Sequence, residues 1–159
     1  MLARLLLPLT SPAFEAGGNI PTKHTGEGSH TSPQLDWELP EGETGVRSFA
    51  VICQDPDAPL VTNGDYGYAH WAIYNIPPAT RSLAEGTQEH TAGPNDAGTN
   101  GYFGPMPPPG HGPHHYFFVL LALDRDPDLP AGLSISQLLS TVEPSVVGMG
   151  RLMGVYERS

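Results

Sequence analysis

Five polar residues stand where apolar, strand-like runs begin, end or pass. Asp55 and Asp57 follow one run, His70 lies inside a second, and His114 and Tyr116 open a third. Residues i and i+2 of a strand share a face. His114 and Tyr116 therefore point the same way, and His70 is expected on a face with Tyr68, Ala72 and Tyr74. If one sheet holds all three runs, two imidazoles, a phenol and carboxylates meet at one end of it. Three chemistries are then open. The group can bind an oxyanion through imidazolium and phenol donors. It can hold a metal, since two His and a carboxylate form a common ligand set. It can move protons as a general acid–base pair. The plain alternative stands beside each: a strand histidine satisfied in place, and an Asp-Pro turn capped by its own carboxylate. If His70 and His114 hold an anion as cations, affinity falls as pH rises through the histidine range.

The elements that must position these groups are legible as short runs. Ser48–Gln54 is β-rich and apolar on both faces, so it is expected to be a central strand, and Pro56 and Pro59 end its pairing. Tyr68–Ile76 is a second strand, stopped by Pro77-Pro78, and His114–Leu123 is a third, closed by Asp124. Leu2–Leu9 reads as a strand rather than a leader, because Pro8 cuts its apolar run short. A turn is expected at Gly17-Gly-Asn19. A long connection over residues 21–45 is anchored by Leu35-Asp-Trp37. Ser134 followed by Gln137 is a capping-box pattern at the head of a helix within Leu133–Val142. Pro144 is expected to start a second short helix, and Met149–Tyr156 to return as an edge strand. The fold class is therefore mostly β, all-β or α+β, with one or two short C-terminal helices.

Nineteen Gly and eighteen Pro in 159 residues exclude a helical bundle. Many of them crowd residues 86–113, just before His114, where no regular element is expected. Proline there restricts φ and glycine lets backbone approach a ligand, so this loop can be a stiff pocket wall. It lacks the Gly-Lys-Ser/Thr of a phosphate-binding loop. Seven Lys and Arg against seventeen Asp and Glu give a net charge of −10, and Lys23 is the sole lysine. That balance excludes sequence-independent nucleic-acid binding and attraction to anionic membranes. No run has the length of a membrane span. Cys53 is the only cysteine, which fits a reducing, cytoplasmic setting and leaves no Cys-based metal or redox motif. His24, His30, His90 and His111 lie in polar or Gly/Pro contexts and read as solvated. No G-x-S-x-G nucleophile motif occurs.

Taken in order, several segments resemble the phosphatidylethanolamine-binding proteins, and most closely their short bacterial and archaeal, Raf-kinase-inhibitor-like branch. They are Asp55-Pro-Asp-Ala-Pro59, Ala69-His-Trp71, Asn75-Ile-Pro77, Gly101-Tyr-Phe-Gly-Pro-Met-Pro-Pro108 and His114-His-Tyr116. Leu9-Thr-Ser-Pro-Ala-Phe14, Ser32-Pro-Gln-Leu-Asp-Trp37 and Gly154-Val-Tyr-Glu-Arg158 match that branch as well, so one domain spanning residues 1–159 is expected. The resemblance implies a large antiparallel sheet packed on a smaller one. It also implies a pocket for phosphate, phosphorylated headgroups or small carboxylates, formed by Asp55, His70, Pro107, His114 and Tyr116, with Asp57 in the same turn. Met106 stands where the branch usually has a small residue, and it is expected at the pocket mouth. Ser145 replaces a His frequent in the late helix. The sequence ends at Ser159 without the C-terminal helix that lines the pocket in eukaryotic members, so their ligand selectivity is not carried over.

The expected function is a binding module for a small anionic or phosphorylated ligand, with neither cofactor nor metal. The resemblance extends this to a kinase- or protease-inhibitor-like regulator with a protein partner, and to a homodimer. The alternative is an enzyme that uses the same His, Asp and Tyr groups for acid–base chemistry on a small molecule.

Overall fold

Three long apolar runs lie side by side and make the centre of the molecule. The structure, a computed structural model, describes residues 4–58 and 67–159. In chain order its strands are β1 (Leu5–Leu6), β2 (Leu9–Thr10), β3 (Leu35–Trp37), β4 (Ser48–Asp55), β5 (Tyr68–Ile76), β6 (Ser82–Leu83), β7 (Thr91–Ala92), β8 (His114–Leu123) and β9 (Val146–Tyr156). One α-helix, α1 (Ile135–Val142), precedes β9. A six-stranded sheet runs β1-β9-β8-β4-β5-β7, and a three-stranded sheet runs β2-β3-β6. Pairing is antiparallel except between β1 and β9.

Burial on both faces explains why β4, β5 and β8 are so apolar. One face of the large sheet meets the small sheet: Val51, Trp71 and Phe118 pack in one cluster with Leu9, Leu35, Trp37 and Leu83. The other face meets α1, where Ala50, Ala72, Tyr74 and Leu121 pack with Ile135, Leu138 and Val142. Tyr74 satisfies its hydroxyl there, donating to the Pro130 carbonyl and accepting from the Leu133 amide.

Three elements depart from the sequence reading. Within Leu2–Leu9, residues 2 and 3 lie outside the described residues, and the rest does not form one strand. The chain pairs with β9 at Leu5–Leu6 and joins the small sheet at Leu9–Thr10. Pro8 has no N–H to continue a ladder, and the crossing between sheets falls there. The last strand is not an edge. It starts at Val146, and β1 covers its outer side with Leu5 opposite Gly148 and Leu6 opposite Met149. Finally, Pro144 starts no separate helix: Glu143–Ser145 is a single 3₁₀ turn that continues α1. The Gly/Pro segment over residues 86–113 is irregular except for the two residues of β7.

The capping box is present. Ser134 Oγ accepts from the Gln137 amide, and the Gln137 side chain accepts from the Ser134 amide. Ser134→Ala is expected to cost about 1 kcal/mol in urea unfolding, since it strands one of the helix's first amides. No helix among the described residues is long and apolar enough to cross a membrane.

Candidate functional site

The ends of β4, β5 and β8 bring Asp55, His70, His114 and Tyr116 to one place, and all four are at most 3% exposed. Asp55 closes β4. Its Oδ1 accepts the Asp57 amide at 2.8 Å, which tightens the Asp-Pro-Asp turn. Its Oδ2 lies 2.7 Å from His114 Nδ1. A carboxylate can only accept, so His114 Nδ1 carries the hydrogen. The opposite ring nitrogen, Nε2, lies 2.6 Å from His111 Nδ1. A hydrogen-bonded line therefore runs from exposed His111 through buried His114 to buried Asp55.

His70 reaches this group by an irregularity in the sheet. Cys53 pairs with Trp71 and Gln54 with Ala69, so His70 is an extra residue in β5. Such a bulge re-aims a side chain. His70 consequently leaves the face of Ala72 and Tyr74, where strict alternation puts it, and meets the Tyr116 ring edge-on at 5.2 Å. It keeps the expected neighbour Tyr68, with ring centroids 4.7 Å apart. His70 Nδ1 donates to the Phe103 carbonyl at 2.6 Å, and the Phe103 amide returns a bond to the His70 carbonyl at 2.9 Å. Burial holds the imidazole well below its ordinary value, at a pKa of about 4, against the opposing pull of the Phe103 carbonyl and the Asp55 charge. Burial thus favours the neutral ring, against the cationic form that anion binding was expected to use.

Tyr116 lines the site with a fully buried hydroxyl whose weak contact with the Asp55 carboxylate falls short of a full hydrogen bond. Burial, and then the Asp55 charge, push its pKa up, so the phenol stays protonated. Asp57 turns the other way. Its Oδ2 accepts from the His115 amide at 2.8 Å and from the His115 ring at 2.7 Å. Burial opposes ionisation of Asp57, but these bonds outweigh it and hold its pKa low.

The four buried groups line a cavity of about 300 Å³, completed by Tyr68, Phe103, Met106, Pro107 and the residues beside them. Met106 is half-exposed at its edge, whereas Pro107 is buried. The Pro-rich wall is pinned on two sides. Arg158 Nε donates to the Pro107 carbonyl at 2.8 Å, and the Gly26 amide donates to the Pro105 carbonyl at 2.8 Å. Gly104 must be glycine for this fit, because a Cβ there would lie 2.3 Å from the His24 carbonyl oxygen. No Lys or Arg is among the described residues that line the cavity. Among the described residues, no three His, Cys, Asp or Glu side chains converge in a metal-holding arrangement.

Of the histidines read as solvated, His24 is buried, His30 is half-buried and His111 is exposed, and each has a partner in the fold. His24 is fully buried, with Nδ1 2.7 Å from the Thr31 carbonyl. His30 accepts the Gly104 amide at 2.9 Å and packs at a tilt on Phe103, with ring centroids 4.2 Å apart. His111 contacts His114. The sequence reading also left out Tyr68 and Phe103 as lining residues; the Gly-Tyr-Phe-Gly stretch was the available signal for Phe103.

A family model described as phosphatidylethanolamine-binding protein matches residues 10–157. A UPF0098 protein of Methanothermobacter thermautotrophicus is 41% identical over 157 residues, covering 94% of this chain and 98% of that protein. Among solved structures, CT736 of Chlamydia trachomatis, titled a homolog of that family, superimposes with a TM-score of 0.86 at 34% identity, covering 99% of this chain and all of that one. Escherichia coli YbcL, titled a member of the mammalian family, superimposes with a TM-score of 0.84 at 32% identity, covering 96% and 99%. A further relative, from Mycobacterium tuberculosis, is provisionally named lipoprotein LppC.

Proposed function

The chain belongs to the phosphatidylethanolamine-binding protein family, and from that premise we propose that it is a single-domain binding module whose cavity takes a small anionic or phosphorylated group. The observation that supports this reading is the buried Tyr116 hydroxyl, short of a full hydrogen bond, beside the Asp55–His114 pair in a cavity of about 300 Å³. A buried donor without a partner costs about 1–3 kcal/mol, and a ligand oxygen recovers it. The cavity has room for a headgroup-sized ligand and little more. Its working compartment is read as cytoplasmic, with which a single buried Cys53 thiol is compatible. Regulation of a kinase or protease would then operate through occupancy of the same cavity.

The test is an NMR titration with inorganic phosphate and phosphoethanolamine. Ring resonances of His70 and His114 are expected to shift, and Tyr116→Phe is expected to weaken binding about tenfold or more, the usual worth of a hydrogen bond to a charged group. Unmoved resonances at millimolar ligand overturn the reading.

A further inference from the structure

We propose that the cavity reads a proton on its ligand: it takes a singly protonated phosphate monoester and turns away ligands whose oxyanion carries none, the phosphodiester and the sulfate ester. This rests on the reading above that a phosphoryl group enters the cavity.

The argument is an inventory of donors and acceptors. His70 Nδ1 faces the Phe103 carbonyl, which can only accept, so that nitrogen bears the hydrogen. A neutral ring has one hydrogen, and Nε2 is left as a lone pair. The ring stays neutral because it is 3% exposed in a site with no lysine or arginine among its described lining residues. Asp55 supplies the second acceptor, a carboxylate that already takes bonds from Asp57 and His114. His114 offers its remaining nitrogen to His111, not to the cavity. The donor left for the ligand is the Tyr116 hydroxyl, which otherwise turns weakly to the Asp55 carboxylate.

The charged and titratable groups around His70 come from every side. Asp55 is on β4, Asp96 and His30 are on the flanking loops, Tyr68 is on its own strand, and Tyr116 is on β8. Two of these are carboxylates, so the surroundings disfavour a second uncompensated negative charge. A sulfate ester or a phosphodiester presents only acceptor oxygens to the His70 lone pair and the Asp55 carboxylate. A phosphate monoanion presents a P–O–H that donates to one of them. Buried groups left unpaired by the wrong ligand are what make such discrimination large.

Three probes share an ethanolamine group and differ in this proton. Phosphoethanolamine is the monoester, glycerophosphoethanolamine is the diester of an intact lipid headgroup, and ethanolamine O-sulfate is the permanently ionised analogue. At a pH of about 6 the monoester is expected to bind at least about tenfold tighter than either of the others. Its affinity is expected to fall by about an order of magnitude between pH values of about 5.5 and 7.5, as its second ionisation near 6 removes the proton. In His70→Gln, whose amide can donate as well as accept, the preference over sulfate is expected to shrink to about threefold or less. Sulfate or diester binding as tightly as the monoester in the unaltered protein overturns the proton reading and leaves the anion-pocket reading standing. Failure of all three probes overturns both. The comparison among probes on the unaltered protein decides the matter even if His70→Gln does not fold.

Discussion

Asp55→Ala is expected to destabilise the fold by about 2–4 kcal/mol, the cost of leaving the buried His114 ring N–H and a turn amide without their acceptor, and to abolish binding in the cavity. The Asp55 and His114 side chains are 4% and 2% exposed, so water cannot replace the lost partner. Removing the carboxylate strands two donors together, the His114 ring N–H and the Asp57 amide. The second of these also closes the turn that leads out of β4. Asp55→Asn is expected to be milder, about 1–2 kcal/mol, because its carbonyl can keep one bond. Its NH₂ then faces His114 Nδ1, which forces the ring into the other tautomer and reverses the bond to His111. A double-mutant cycle with His114→Ala isolates the pair, with an expected coupling of about 2 kcal/mol or more. Urea unfolding near neutral pH measures all four proteins. An Asp55→Ala loss below about 1 kcal/mol would falsify the view that this pair is a buried support of the site.

What could be read without coordinates followed from local rules. Period-two alternation put His114 and Tyr116 on one face, and β8 holds them there with Phe118 in the same buried cluster. The run Ser48–Gln54, apolar on both sides, was a central strand because only a strand covered on both faces tolerates that composition. The Ser134 and Gln137 spacing carried the helix start by itself. The remainder depended on pairing between distant segments. His70 faces Tyr116 because β5 has one residue more than β4 at that point, and alternation within β5 cannot reveal its partner's register. The break at Pro8 was visible, but the choice of two different sheets on either side of it was not. His111 sits in a loop, where no period relates it to His114. The bond between them follows from the path of the Pro-rich chain. The burial of His24 and the loss of charge on His70 are likewise set by what covers them, not by their neighbours in sequence.

The neutrality of His70 has a second measurable effect, on the fold. Its pKa lies near 6.5 in an unfolded chain and at about 4 here, lowered chiefly by burial. Between those values the unfolded chain binds the proton and the folded chain does not, so stability falls as pH falls. The contribution is whole above about 6.5 and is lost by about 4. At roughly 1.4 kcal/mol per pKa unit it amounts to about 3 kcal/mol. Urea midpoints measured from neutral pH down to about 4 are expected to drop more steeply for the unaltered protein than for His70→Gln. Exposed carboxylates such as Glu85 titrate alike in both proteins and cancel in the difference. Parallel curves would show that His70 is not the group responsible. The same titration also separates two explanations of ligand binding. A site that works through a His70 cation gains affinity as pH falls below the ring's ligand-bound pKa, and does so for a permanently ionised sulfate ester as well as for a phosphate monoester. Tighter binding near a pH of about 6 that the monoester shows and the sulfate ester does not belongs to the second ionisation of the monoester, and hence to a proton carried in by the ligand.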